Sequence, residues 1–214
     1  MAPSSSAPAV LAPDSAVARI VRQAREHLFA HGYSQCTMDD LAAELGMSKK
    51  TLYTHFASKD DIVRAVLEQF GAEIRAEADA LFANRSLTFA EKLRGFAEGM
   101  FDRLSRLNPR APRELQRYAP HLHQLLVEIR QRNIPYVFGR FIEEGKLAGK
   151  IRDDVDAAFA VEFFLAAMQN LLQSGAPERL KLAPRDLVPR AIDLFFDGLL
   201  TPAGRKEHEK LFAR

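Results

Sequence analysis

Residues 37–60, TMDDLAAELGMSKKTLYTHFASKD, decide how this chain folds. Thr37 stands before an apolar stripe at helical spacing, Met38, Leu41, Ala42 and Leu45, with Asp40 placed as its capping-box partner. Gly46 follows, the residue type that ends helices by turning left-handed. Ser48 then caps a very short helix running to Phe56, and Ser58, with Asp61 three residues on, caps the next. Only Gly46-Met47-Ser48 separates the first pair. A connection this short holds two helices at a steep angle, the helix-turn-helix arrangement. Its corner needs a small residue, a residue free at positive φ and an apolar filling. Ala42, Gly46 and the set Leu41, Leu45, Met47 and Leu52 meet those needs together.

The short helix turns Ser48, Lys49, Lys50, Thr51, Thr54 and His55 away from its Leu52/Phe56 side. Hydroxyls and amines in such a row suit phosphates and base edges in a major groove, and they equally suit a solvated helix face. Net charge does not decide: residues 37–60 hold three basic residues (Lys49, Lys50, Lys59) against four acidic ones (Asp39, Asp40, Glu44, Asp60), a net of −1. Segregation matters more, because the lysines of the corner lie on its second helix and the carboxylates on its first.

Outside this stretch the periodicity is helical almost throughout. Helices are expected over 16–31, from 58 to about 83, over 87–107, in a short arginine-rich piece at 113–118, over 120–149, over 155–174 and over 186–200. Pro135 is expected to kink or split the fifth of these. No run alternates with the period of a half-buried strand. The chain therefore reads as all-α, with about nine helices.

At 214 residues, 47% hydrophobic and 27% charged, the chain can bury one large core and a small second unit. A net charge of only +2 gives no whole-molecule pull toward nucleic acid. With a single cysteine, Cys36, no intramolecular disulfide can form, which fits a cytoplasmic setting. Cys36 also lies beside a helix N-terminus, so a redox role stays open. Residues 1–14 are Pro/Ser-rich without a basic start or apolar stretch, and read as a disordered arm. No window nears the about 18 apolar residues of a membrane span. No nucleophile–base pair, phosphate loop or carboxylate dyad points to an enzyme or cofactor. His27 and His31 have metal-ligand spacing but lack a third ligand, so no metal is expected.

From Phe29 through Leu67 the sequence resembles the N-terminal DNA-binding domain of the TetR/AcrR family of bacterial transcriptional regulators. The resemblance rests on Phe29, Gly32-Tyr33, Thr37-Met38-Asp39-Asp40-Leu41-Ala42, Leu45-Gly46-Met47-Ser48, Thr51-Leu52-Tyr53-Thr54-His55-Phe56 and Ser58-Lys59-Asp60-Asp61-Ile62. It implies double-stranded operator DNA as partner, with Thr37, Tyr53 and Lys59 on phosphates. Ser48 starts the reading helix, and Lys49, Lys50, Thr51, Thr54 and His55 face base edges. It also implies a homodimer through the last two helices and an effector pocket in the C-terminal part. The expected domains are the arm 1–14, a helix-turn-helix domain 15–60, and a ligand-binding and dimerisation domain 61–214.

In that larger domain, 155–174 is apolar almost all round, which marks a helix buried on every side. Phe164, Met168 and Leu171, with Val188, Ile192, Phe195 and Leu199 on the last helix, are expected at the dimer interface, a monomer core being the alternative. Phe96, Met100, Tyr118, His121, Tyr136, Phe159, Phe163, Gln169 and Asn170 are candidates to line a mostly apolar pocket, or simply to pack a core. The run Arg103, Arg106, Arg110, Arg113 and Arg117 is either a solvated face or an attractor for an anionic lipophilic effector. The expected function is a repressor released from a palindromic operator by a small lipophilic molecule. The alternative is a ligand-independent architectural or nucleoid-associated DNA-binding factor of the same fold.

Overall fold

The computed structural model describes residues 15–108, 110–173 and 176–212; the arm expected at 1–14 lies outside them. The described residues form eleven helices and one isolated bridge, Ile151 to Leu200. In order these are α1 (Ala16–His31), α2 (Met38–Glu44), α3 (Lys49–His55), α4 (Lys59–Ala83), α5 (Phe89–Ser105) and α6 (Ala111–Tyr118). There follow α7 (Pro120–Leu147), α8 (Ala157–Gln173), α9 (Ala176–Leu180), α10 (Pro184–Leu199) and α11 (Pro202–Phe212). The excess over nine comes from α9, five residues long, and from α11, whose charge-rich sequence hides its apolar positions. No described helix is long and apolar enough to cross a membrane.

Pro135 does not split α7, which runs unbroken for 28 residues. A proline removes one ladder bond, and here Val137, Phe138, Phe141 and Ile142 bury the turns that follow it, which outweighs that single loss.

Two compact units make up the chain. Of the described residues, the first takes 15–73 together with Arg106–Ile129, so it is larger than the 15–60 span expected from sequence. The second takes Ile74–Ser105 and the described residues from Arg130 onward, with α4 and α7 each contributing to both.

The first unit packs Ile20, Val21, Leu28, Leu41, Leu52, Ile62, Val66 and Leu122 into one core. Ser15 caps α1 by accepting the Ala18 N–H at 3.1 Å. At the other end, Gly32 adopts φ +86°, with the Glu114 carboxylate standing where a Cβ would be. Glu114 accepts the Ser34 N–H at 2.9 Å, and Asn108 donates its backbone N–H to Phe29 at 2.7 Å and its side-chain amide to Ala30 at 3.2 Å. These bonds join α6 to the end of α1, which is why residues far along the chain belong to this unit.

The second unit is built on phenylalanines. Phe141 is fully buried and meets Phe82, Phe89, Phe96 and Phe196, while Phe138 stacks on Phe164 at 4.3 Å. Phe164, Met168, Val188, Ile192 and Phe195, expected at a dimer interface, lie in this protomer's own core, with Leu171 and Leu199 packed against it. A helix apolar on all sides does not announce which side faces its own chain. The sides left outward carry Phe159 and Phe163 on α8, 71% and 61% exposed with rings stacked at 6.5 Å, and Leu194 on α10, 77% exposed.

Candidate nucleic-acid interface

The corner between α2 and α3 is fixed by side-chain and backbone bonds at each helix end. Thr37 accepts the Asp40 N–H at 3.1 Å, and its hydroxyl donates to the Asp40 carboxylate at 2.6 Å. Past the end of α2, Gly46 takes φ +63°, its N–H reaching Ala43 O at 3.1 Å while Met47 N–H reaches Ala42 O at 3.0 Å. This paired closure is a Schellman motif and satisfies carbonyls that would otherwise be orphaned. Ser48 then accepts the Thr51 N–H at 3.0 Å and shares a hydroxyl bond with Thr51 at 2.8 Å. A cap of this kind contributes about 1 kcal/mol, enough to matter in a helix of two turns.

Leu52 is fully buried and pins α3 to the core. Lys49, Lys50, Thr51, Tyr53, Thr54 and His55 are all exposed on the remaining surface of the helix. His55 sits in the last turn, where the helix dipole favours positive charge. The Thr54 hydroxyl donates to Thr51 O at 2.6 Å, so it must turn outward before it can donate elsewhere.

The two α3 lysines differ. Lys49 Nζ lies 2.7 Å from Asp39 Oδ1 of α2, and that hydrogen bond and charge hold its ammonium above the usual lysine range. Asp39 was not among the expected site residues. The pair joins two helices and becomes visible only once the angle of the turn is known.

Lys59, in the first turn of α4, is held from the α1–α2 connection. Its ammonium sits 3.7 Å over the Tyr33 ring and donates to Tyr33 O at 3.2 Å. The Tyr33 hydroxyl donates to Asp60 Oδ1 at 2.7 Å, and His121 Nε2 lies 2.9 Å from Asp60 Oδ2. Burial first, and then Asp60, push the Tyr33 phenol above its ordinary range. His121, expected in an effector pocket, pairs with Asp60 in this cluster of the first unit. Cys36 is completely buried in the same unit, and burial pushes its thiol up to about 11 against the opposing pull of Lys59. At neutral pH it is a protonated, inaccessible thiol, the opposite of a redox-sensing thiolate.

All nine expected DNA-contacting residues, Thr37, Ser48, Lys49, Lys50, Thr51, Tyr53, Thr54, His55 and Lys59, fall in the first unit. The expected pocket residues do not gather in this way. Tyr118 is exposed in the first unit, with Arg117 5.3 Å from its ring. Phe96 is core, Met100 packs against that core, and the Tyr136 hydroxyl donates to Asp79 at 2.7 Å. Phe159 and Phe163 face outward, Gln169 is half-buried and Asn170 exposed on α8. The arginine run divides as well: Arg103 pairs with Glu77 in the second unit, while Arg106, Arg110, Arg113 and Arg117 are exposed in the first. Of the two paired-spacing histidines, His27 places its ring nitrogens 2.8 Å from Glu44 and 3.1 Å from Gln35 O.

A helix-turn-helix that presents lysines, hydroxyls and a tyrosine outward from a capped, core-pinned second helix is the reading head of a DNA-binding regulator. Comparison with known proteins makes this specific. The model for bacterial regulatory proteins of the tetR family matches residues 20–66. Over 163 residues the chain is 28% identical to YvaF, an HTH-type transcriptional regulator of Bacillus subtilis (strain 168), covering 76% of this chain and 85% of that protein. A TetR-family regulator from Marinobacter aquaeolei VT8 superposes with a TM-score of 0.66 at 22% identity, over 92% of this chain and 97% of the other. FadR from Bacillus subtilis, solved in complex with stearoyl-CoA, gives 0.56 at 21% identity, over 85% and 98%. Residues 20–66 thus carry the pattern of the tetR family of bacterial regulatory proteins, and over most of its length the chain is similar to HTH-type transcriptional regulators.

Proposed function

We propose that this regulator is a homodimeric repressor that leaves a palindromic operator when a small lipophilic effector binds its second unit. The observation that carries the reading is the outward face of α3, held at fixed angle by the Gly46 turn, the Ser48 cap and buried Leu52. Two such helices placed about 34–36 Å apart enter successive major grooves. Lys49, Lys50, Thr51, Thr54 and His55 then read base edges from a helix begun by Ser48, and Thr37, Tyr53 and Lys59 hold phosphates. Lysines lack the bidentate fork of arginine, so specificity per contact is moderate.

The dimer uses the outward sides of α8 and α10. Phe159, Phe163 and Leu194 are large apolar groups left in water in the protomer, with Ala166 and Gly198 permitting close approach beside them. The effector acts by binding more tightly to a conformation unfit for DNA, with α4, shared by both units, carrying the change. That FadR of the same fold holds stearoyl-CoA supports a lipophilic effector with an anionic portion.

A gel-shift on the DNA upstream of the protein's own coding region tests the reading. Specific binding at low salt, weakened by Lys49→Ala and by Tyr53→Phe, is expected. No specific complex, or variants indistinguishable from wild type, refutes it. Phe159→Glu with Phe163→Glu should give a monomer by sedimentation and abolish operator binding while leaving the protomer folded. An effector raises the melting temperature and releases the DNA.

A further inference from the structure

Besides α3, the first unit carries another cationic surface, on α6. Ala111 and Leu115 bury one side of that helix. Arg110 at its N-cap, Arg113 and Arg117 follow one another at three- and four-residue steps on the other side, and all three are exposed. The one carboxylate of α6, Glu114, accepts the Ser34 N–H at 2.9 Å and stands over Gly32. Among the described residues no carboxylate meets the guanidinium of Arg110 or of Arg117. Arg117 instead lies 5.3 Å from the exposed Tyr118 ring, a contact that orients a guanidinium without neutralising it.

Local stability does not account for this row. Arg113 and Arg117 are like charges four residues apart, a spacing that weakens a helix. Arg110 stands at the positive end of the helix dipole, where a cation is disfavoured. With only eight residues and no side-chain bond capping its start, α6 has little of its own to set against these repulsions. Cations kept in such a row suit an anion from outside the chain.

Position in the unit names the anion. Both α6 and the first turn of α4 bond to the same short connection, residues 32–34. Glu114 takes the Ser34 N–H, Lys59 sits over the Tyr33 ring, and Asp60 accepts the Tyr33 hydroxyl. Just past α6, His121 at the start of α7 lies 2.9 Å from Asp60. The arginine row thus stands one helix diameter, about 10 Å, from the connection that holds Lys59. Phosphates succeed one another along a DNA strand every 3.4 Å of axis, so that distance is about three nucleotides.

We infer that Arg110, Arg113 and Arg117 form a second phosphate-binding strip, which carries the DNA contact past Lys59 along the same backbone. This rests on the DNA-binding reading above and deepens it by adding α6 to the elements that touch the duplex. Such contacts carry no sequence information; they add affinity and salt dependence.

Anisotropy titrations of the full-length protein over a range of salt concentrations test the inference. A mixed-sequence duplex of about 40 base pairs serves as probe, because phosphate contacts do not depend on sequence. Each phosphate neutralised contributes about 0.9 to the slope of log affinity against log salt. Arg110→Gln with Arg117→Gln should therefore lower the wild-type slope by about 1.8, and lysine at both positions should keep it. Arg152→Gln with Arg185→Gln removes the same charge from exposed arginines of the second unit and should leave the slope unchanged. The α6 glutamine pair should melt no lower than wild type, because it relieves like-charge repulsion. An unchanged slope in that pair overturns the inference. So does an equal fall in the second-unit pair, which marks a diffuse field rather than a contact, and so does a markedly lower melting temperature, which makes the row part of the fold. If the α6 pair keeps its slope and loses binding of decanoate, the row serves an anionic effector and the inference is again overturned. Wild type that binds no duplex even at low salt overturns the DNA-binding reading itself, whereas an unchanged slope removes only α6 from it.

Discussion

The two units are held together by different physics. In the first, helices of seven residues survive because hydroxyls close their starts and a left-handed glycine closes the end of α2, over a core of aliphatic side chains. In the second, long helices are joined by interlocked phenylalanine rings centred on Phe138 and Phe141. Short-range bonding specifies the first, and tertiary packing specifies the second. The contrast fits their proposed tasks, since a reading head needs a fixed geometry and a ligand-responsive bundle needs a packed interior that can rearrange.

The sharpest way to break this comparison is to remove a ring. Phe141 is completely buried among Phe82, Phe89, Phe96 and Phe196, so Phe141→Ala should lower the unfolding free energy by about 3–5 kcal/mol in urea denaturation. A loss below about 1 kcal/mol would mean that the cluster repacks freely and does not hold the unit.

A smaller effect comes from the one cysteine. The Cys36 thiol is raised from 9.0 to about 11 in the folded protein. The unfolded chain therefore loses its proton first as pH rises, and unfolding is favoured in that interval. The stability present below pH 9 should fall by roughly 2–3 kcal/mol as pH passes through 9 to 11. Tyr33 and the lysines titrate in the alkaline range too, so the quantity to read is the difference in alkaline slope between wild type and Cys36→Ala. Equal slopes would contradict the buried, protonated thiol.

The same division governs how much could be read in advance. Thr37, Ser48 and Ser58 each announce a helix start by residue type, and Gly46 announces the turn, because the bonds involved span three or four residues. The outward row Ser48, Lys49, Lys50, Thr51, Thr54 and His55 follows from that local geometry, whereas Thr37, Tyr53 and Lys59 rest on the family resemblance. The α10 and α8 faces were not legible: Phe159, Phe163, Phe164 and Met168 look alike in sequence, and only packing in the second unit's core turns the last two inward, Phe164 against Phe138 and Phe195. The contribution of residues 106–129 to the first unit depends on Glu114 and Asn108 bonding to residues about 80 positions away, which no local pattern encodes. The pairing of His121 with Asp60, at the start of another helix, is equally beyond any local pattern.

Gly46 isolates the local term. No atom lies within 4 Å of where its Cβ would stand, so Gly46→Ala meets no steric obstacle. What remains is the φ of +63° forced on an L-residue, a cost of about 1–2 kcal/mol in thermal or urea unfolding. Because the α2–α3 angle depends on that φ, operator affinity should fall further than stability alone accounts for. Operator affinity unchanged once stability is restored by a lower temperature would show that the turn does not set the angle of entry.

The smallest effect concerns Asp39, and its sign is the informative part. Its carboxylate meets Lys49 at 2.7 Å on an exposed surface, where either partner exchanges readily with solvent or with a phosphate. On DNA the carboxylate is a liability, because it adds negative charge beside the groove and competes for a lysine proposed to read bases. Asp39→Asn keeps the side-chain shape, removes that charge and should tighten operator binding by about two- to fivefold at low salt. If Lys49 then gains a phosphate, the slope of log affinity against log salt should steepen by about 0.9, measurable by anisotropy titration over several salt concentrations. Combining Asp39→Asn with Lys49→Ala should remove the steepening, because the lysine whose contact produced it is gone. Weaker binding by Asp39→Asn would reverse the assignment: the carboxylate would then be aiming Lys49 at its base, and its cost in repulsion would be the smaller term.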